Sequence, residues 1–194
     1  MKINGEPTWS VTTQGVEQLN FAVYVACTYE LIPDQKPFSS IHNWSSVNPS
    51  KSLTEKEMVV LTNYWLRWWE LLVSERAKIG SHAEFYKPDY FDSLAPELGE
   101  ICKELWQAFR KWWEMPAGGS MAMSFWESLD PVGKYVAEFE KEIGRKAKPF
   151  RLNVDLVYAG FEDVYEVTDD YVIMPLRSPN KNKTWWMKKI KSLG

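Results

Sequence analysis

Residues 151–158 read RLNVDLVY, and here the hydrophobic period changes from helical to two, with Leu152, Val154, Leu156 and Tyr158 alternating against Arg151, Asn153 and Asp155. Such alternation marks a strand with one face turned to a core. Downstream, DVYEV (163–167) and YVIMPL (171–176) flank the turn signal TDD (168–170), which predicts an antiparallel meander of two or three strands. Upstream of GRKAKP (144–149) the pattern is helical. The chain is therefore read as α+β: central amphipathic helices over about 55–79, 94–114 and 131–146, packed on a small antiparallel sheet from the C-terminal strands.

The first of these helices has the clearest start. Thr54 followed by Glu57 is a capping box, and Gly80 supplies the stop. Its polar residues Lys56, Asn63, Arg67, Glu70 and Ser74 fall in one narrow sector, while Leu61, Trp65, Leu66, Trp68, Trp69, Leu72 and Val73 occupy the rest. A helix with so little polar face must be covered on most sides, so it is placed at the centre. Ser93 is the expected cap of the second helix, with Pro96 in its first turn; Asp130 and Pro131 are expected to open the third. The segment VEQLNFAVYVACTYEL (16–31) fits either period, and its β-branched and aromatic content favours an N-terminal strand of the sheet.

Two stretches, WLRWWE (65–70) and FRKWWE (109–114), repeat a Trp-Trp-Glu triplet. No third copy exists, and convergence on one helical solution explains the pair more cheaply than duplication. The first doublet lies inside a wide apolar sector and reads as core. Trp112 and Trp113 sit near opposite margins of the apolar face of their helix, so one of them is a candidate for lining a groove or a partner surface.

The net charge of −3 hides an asymmetry. Residues 177–194 hold six basic side chains and no acidic one, which leaves residues 1–176 at −9. The chain reads as a single acidic globular domain over 1–176 with a basic, Trp-containing tail over 177–194. In that tail Trp185, Trp186, Lys188 and Lys189 are candidate binding residues, suited to nucleic-acid phosphates or another anionic surface. Cys27 and Cys102 stand among apolar residues and read as buried thiols. The N-terminus lacks an apolar signal region and no run is long enough to span a bilayer, from which a cytoplasmic location is expected.

Catalytic signatures are sparse. The AGGS stretch (117–120) lacks the residues of a phosphate loop, and two Cys and two His without zinc spacing predict no metal centre and no cofactor. His42 and Trp44 share a polar loop that could carry ligand contacts. His82, Glu84, Asp89 and Asp92 fall within eleven residues, enough donors for a hard-metal or acid–base site, although the spacing matches no known ligand loop. The leading expectation is a non-enzymatic binding protein of inhibitor or immunity type that occupies a protein partner with a basic surface. The alternatives are a nucleic-acid-associated protein using the tail and a small enzyme using His82 or His42.

Overall fold

The computed structural model of the chain describes residues 2–3, 6–40, 44, 49, 51–127, 131–176 and 182–194. In chain order come β1 (Lys2–Ile3), β2 (Glu6–Pro7), β3 (Ser10–Gly15), α1 (Glu17–Thr28) and α2 (Glu55–Ile79). Two 3-10 turns, Ala83–Tyr86 and Tyr90–Ser93, lead into α3 (Pro96–Glu114), α4 (Gly119–Glu127) and α5 (Val132–Ile143). Three strands follow, β4 (Arg151–Val157), β5 (Tyr165–Thr168) and β6 (Tyr171–Pro175), and α6 (Lys183–Leu193) closes the chain. The architecture is α+β, with helices packed against one small mixed sheet.

The capping box at α2 forms as expected. Thr54 Oγ1 accepts from the Glu57 amide at 3.3 Å, and Glu57 Oε2 accepts from the Thr54 amide at 2.8 Å. At the far end Gly80 adopts φ 73°, the left-handed conformation that closes a helix at little cost only for glycine. The start of α3 differs from expectation. Ala95 rather than Ser93 precedes it, and Ser93 Oγ instead donates to the Tyr90 carbonyl at 2.6 Å inside the preceding turn. Pro96 occupies the first helical turn, where its missing amide removes no bond. The third expected helix spans Val132–Ile143, ended by Gly144 at φ 68°.

The segment favoured as a strand is helical. In α1, Leu19, Phe21, Ala22, Val23, Val25 and Ala26 are fully buried, so apolar residues face every direction and neither period carries information. A helix buried on all sides satisfies its own backbone, which β-propensity does not outweigh. Of its buried polar residues, Asn20 donates to Leu156 O and accepts from the Tyr158 amide, both within 2.9 Å, tying α1 to the end of β4.

The sheet order is β3-β4-β6-β5. The hairpin β5–β6 is antiparallel as expected, but β4 runs parallel to both β3 and β6. Burial accounts for this correction: Val154, Asp155 and Val157 on β4 and all of β6 are enclosed, and parallel strands are those covered on both faces. The strand supplied by the N-terminus is Ser10–Gly15, not the segment that follows it. One sheet face carries Gln14 and Asp155, cross-strand partners, toward Arg76 of α2. The other carries Gly15, where a Cβ would come within 2.4 Å of Met123 of α4, and Met174, whose sulfur accepts from Asn182 at 3.2 Å.

The last helix is docked. Trp186 and Ile190 are buried, and Lys183, Lys189 and Lys191 pair with Glu138 (3.0 Å), Glu166 (2.7 Å) and Glu142 (2.7 Å). Among the described residues no helix is long and apolar enough to cross a membrane.

Candidate functional site

The first candidate lies between the N-terminal half of α2 and the first half of α3. Leu53, Val60, Leu61 and Ile101 floor a groove of about 500 Å³, and Glu57, Glu97, Glu100 and Glu104 rim it. On the α2 side Val60, 44% exposed, lines the groove, and Val59 and Leu71 of the same helix are 60% and 59% exposed, so α2 leaves apolar surface facing solvent. Two of the rim carboxylates are already engaged, Glu57 with Lys51 at 2.9 Å and Glu100 with Lys103 at 2.8 Å. The Thr54 amide, and Lys51 after it, hold the Glu57 carboxyl down at about 2. Glu97 and Glu104 have no ion-pair partner among the described residues, so the α3 side of the groove presents two unpaired carboxylates, while Lys56 lines the groove from α2.

The second candidate is a cleft of about 520 Å³ where β3 passes into α1. Gln14, Glu17, Gln18, His82, Tyr86 and Ser124 are among its walls. Beneath it lies a buried polar network. Arg76 Nε donates to Asp155 Oδ2 at 2.8 Å and Nη2 to Oδ1 at 3.1 Å, and the Tyr171 hydroxyl donates to Oδ2 at 2.9 Å. A third Arg76 nitrogen, Nη1, donates to Gly80 O. Burial, reinforced by the Asp155 charge, pushes the Tyr171 hydroxyl far up, so it stays a donor. Glu17 is held by Arg110 (3.5 Å) and by the Tyr86 hydroxyl (2.8 Å).

His82 belongs to this cleft. It is 5% exposed, and its Nε2 lies 2.7 Å from the Leu72 carbonyl. A carbonyl accepts only, so the proton sits on Nε2 and Nδ1 is left as an acceptor. Burial pushes its pKa down from 6.5, which keeps the ring neutral.

The other residues singled out in the sequence are scattered. Glu84 pairs with Lys87, Asp92 pairs with Lys103, and Asp89 is exposed, so none of them joins His82. Among the described residues no three His, Cys, Asp or Glu side chains are placed to hold a metal ion. His42 lies outside the described residues. Trp44 is half-buried and packs on Trp112 (4.4 Å between centroids) and Tyr158 (4.7 Å). Trp113 is buried, stacks on Phe109 at 5.6 Å, and reaches the wall of the polar cleft. In the tail, Trp186 is buried, and Trp185 donates its indole N–H to Glu166 at 3.1 Å. Lys189 is 5% exposed against that same carboxylate, while Lys188 is exposed. Sequence reasoning missed Arg76, Asp155 and Gln14; a lone Asp at the centre of an apolar strand was the available signal.

The fold defines the class, an α+β protein on a mixed sheet. No protein-family model matches the chain, and no significant match was found among curated proteins or solved structures.

Proposed function

We propose that the protein is a non-enzymatic binding protein that occupies a protein partner carrying basic residues, with the groove between α2 and α3 as its contact surface. The carrying observation is the apolar floor rimmed by the unpartnered Glu97 and Glu104. These residues are seven apart on α3, so their carboxylates project about 10 Å from one another along the helix at 1.5 Å rise per residue. A partner helix with Lys or Arg two turns apart beside an apolar stripe matches that pattern in both charge and shape. With the tail docked the whole chain carries −3, which adds a modest long-range attraction for the same kind of partner. Engagement of Lys183, Lys189 and Lys191 by the chain's own carboxylates favours the acidic body over the tail as the contact surface.

The test compares captures from a cell lysate by the wild-type chain and by Glu97→Lys/Glu104→Lys, at low and moderate salt. A partner held by the wild type and lost from the variant supports the reading. Identical captures by the two proteins, or none by either, refute it.

A further inference from the structure

We propose that the cleft beside β3 and the start of α1 binds a small, neutral, polyhydroxylated ligand of mono- or disaccharide size, whose hydroxyls donate to acceptors that the fold leaves unused. Two such acceptors belong to residues of its walls, His82 and Gln14. Glu17 Oε1 accepts no hydrogen bond but is closed to solvent and faces Arg110 at 3.5 Å, so it is not one of them. His82 Nδ1 has no partner among the described residues, because Nε2 takes the Leu72 carbonyl. Gln14 spends its amide N–H on Asp155 at 3.4 Å, which leaves its own carbonyl oxygen to the cleft. An acceptor enclosed by protein is poorly served by water, so a ligand that brings donors to both gains more than the same groups would in water.

Charge selects the neutral class. Arg76 is already matched by Asp155 and Glu17 by Arg110, so neither an anion nor a cation finds an uncompensated counter-charge. A phosphate or carboxylate would meet the Glu17 oxygen, and an amine would meet the Arg76 guanidinium. The volume of about 520 Å³ lies within the range of small-molecule sites. Tyr86, 55% exposed, adds ring surface at the wall, against which the C–H face of a sugar can lie. This site is separate from the groove between α2 and α3 and does not depend on it.

Saturation-transfer NMR on the full chain tests the assignment, with glucose, galactose, mannose and sucrose as probes and a sugar phosphate and an amino sugar as charged controls. At least one neutral sugar is expected to bind saturably and more tightly than its charged counterpart. Gln14→Leu removes one acceptor and Ser124→Trp fills the mouth from an exposed position on α4. Each should weaken binding roughly tenfold or more, with the thermal midpoint and circular dichroism confirming that the variant is folded. Glu97→Lys/Glu104→Lys should leave sugar binding unchanged. The assignment is overturned if no neutral sugar binds, if the charged controls bind better, or if the Ser124→Trp protein binds as well as wild type.

Discussion

Arg76 and Asp155 meet through two hydrogen bonds, at 2.8 and 3.1 Å, across 79 residues of chain. The contact joins the C-terminal half of α2 to the centre of the sheet, and Asp155 is wholly buried there. Desolvating such a pair offsets much of its attraction, so its net contribution to stability is small, but breaking it strands a buried charge. Arg76→Ala is therefore expected to cost about 3–5 kcal/mol in urea denaturation. The double replacement Arg76→Met/Asp155→Leu should cost much less than the sum of its single changes. Additive losses would show that the two side chains do not act as a pair.

How much of this was legible beforehand depended on where burial was one-sided. The helix from Thr54 to Gly80 declared itself through a capping box and a glycine stop, both local chemistry. The alternation at 151–158 gave β4 but not its neighbours, because parallel pairing is decided by what covers each face. The segment over α1 was opaque for the opposite reason: apolar on every side, it carried no period to read. The strand Ser10–Gly15 is mostly half-exposed, and its β-branched Val11, Thr12 and Thr13 were its sole local sign. The candidate sites were least visible. The groove needs α2 and α3 side by side, and the polar cleft gathers residues from β3, α1, the turn after α2, and α4.

His82 sets a pH dependence. Burial lowers its folded pKa below the ordinary 6.5, so the unfolded chain takes up a proton that the folded chain resists. The penalty is absent well above pH 6.5 and grows as pH falls from about 6.5 toward the lower folded value. Urea midpoints of the wild type should fall between pH values of about 7.5 and 5 more steeply than those of His82→Gln, whose amide can donate to Leu72 from the place of Nε2 without titrating. Parallel pH profiles for the two proteins would assign the slope to other groups.

The two cysteines make a sharper chemical test. Burial pushes the Cys27 thiol up to about 11 and the Cys102 thiol well above its usual value, and both are enclosed. Neither offers thiolate at neutral pH. A disulfide reagent added to the native protein should modify neither within minutes, and both after denaturation. Rapid modification of the native chain would mean that α1 or α3 opens readily.

The docked tail yields a contrast between adjacent tryptophans. Trp186 is 1% exposed, whereas Trp185 is half-buried and held by one indole bond to Glu166. Trp186→Ala should destabilise by about 3–5 kcal/mol, as truncation of a buried aromatic does, and Trp185→Ala by far less. The Lys189–Glu166 pair sharpens the point, because the lysine side chain is 6% exposed and the carboxylate 49%. Removing the exposed partner leaves a buried ammonium unpaired; removing the buried one leaves only a solvated carboxylate. Glu166→Ala should therefore lower the thermal midpoint more than Lys189→Met. The reverse order would place Lys189 in water and leave α6 held by its apolar face alone.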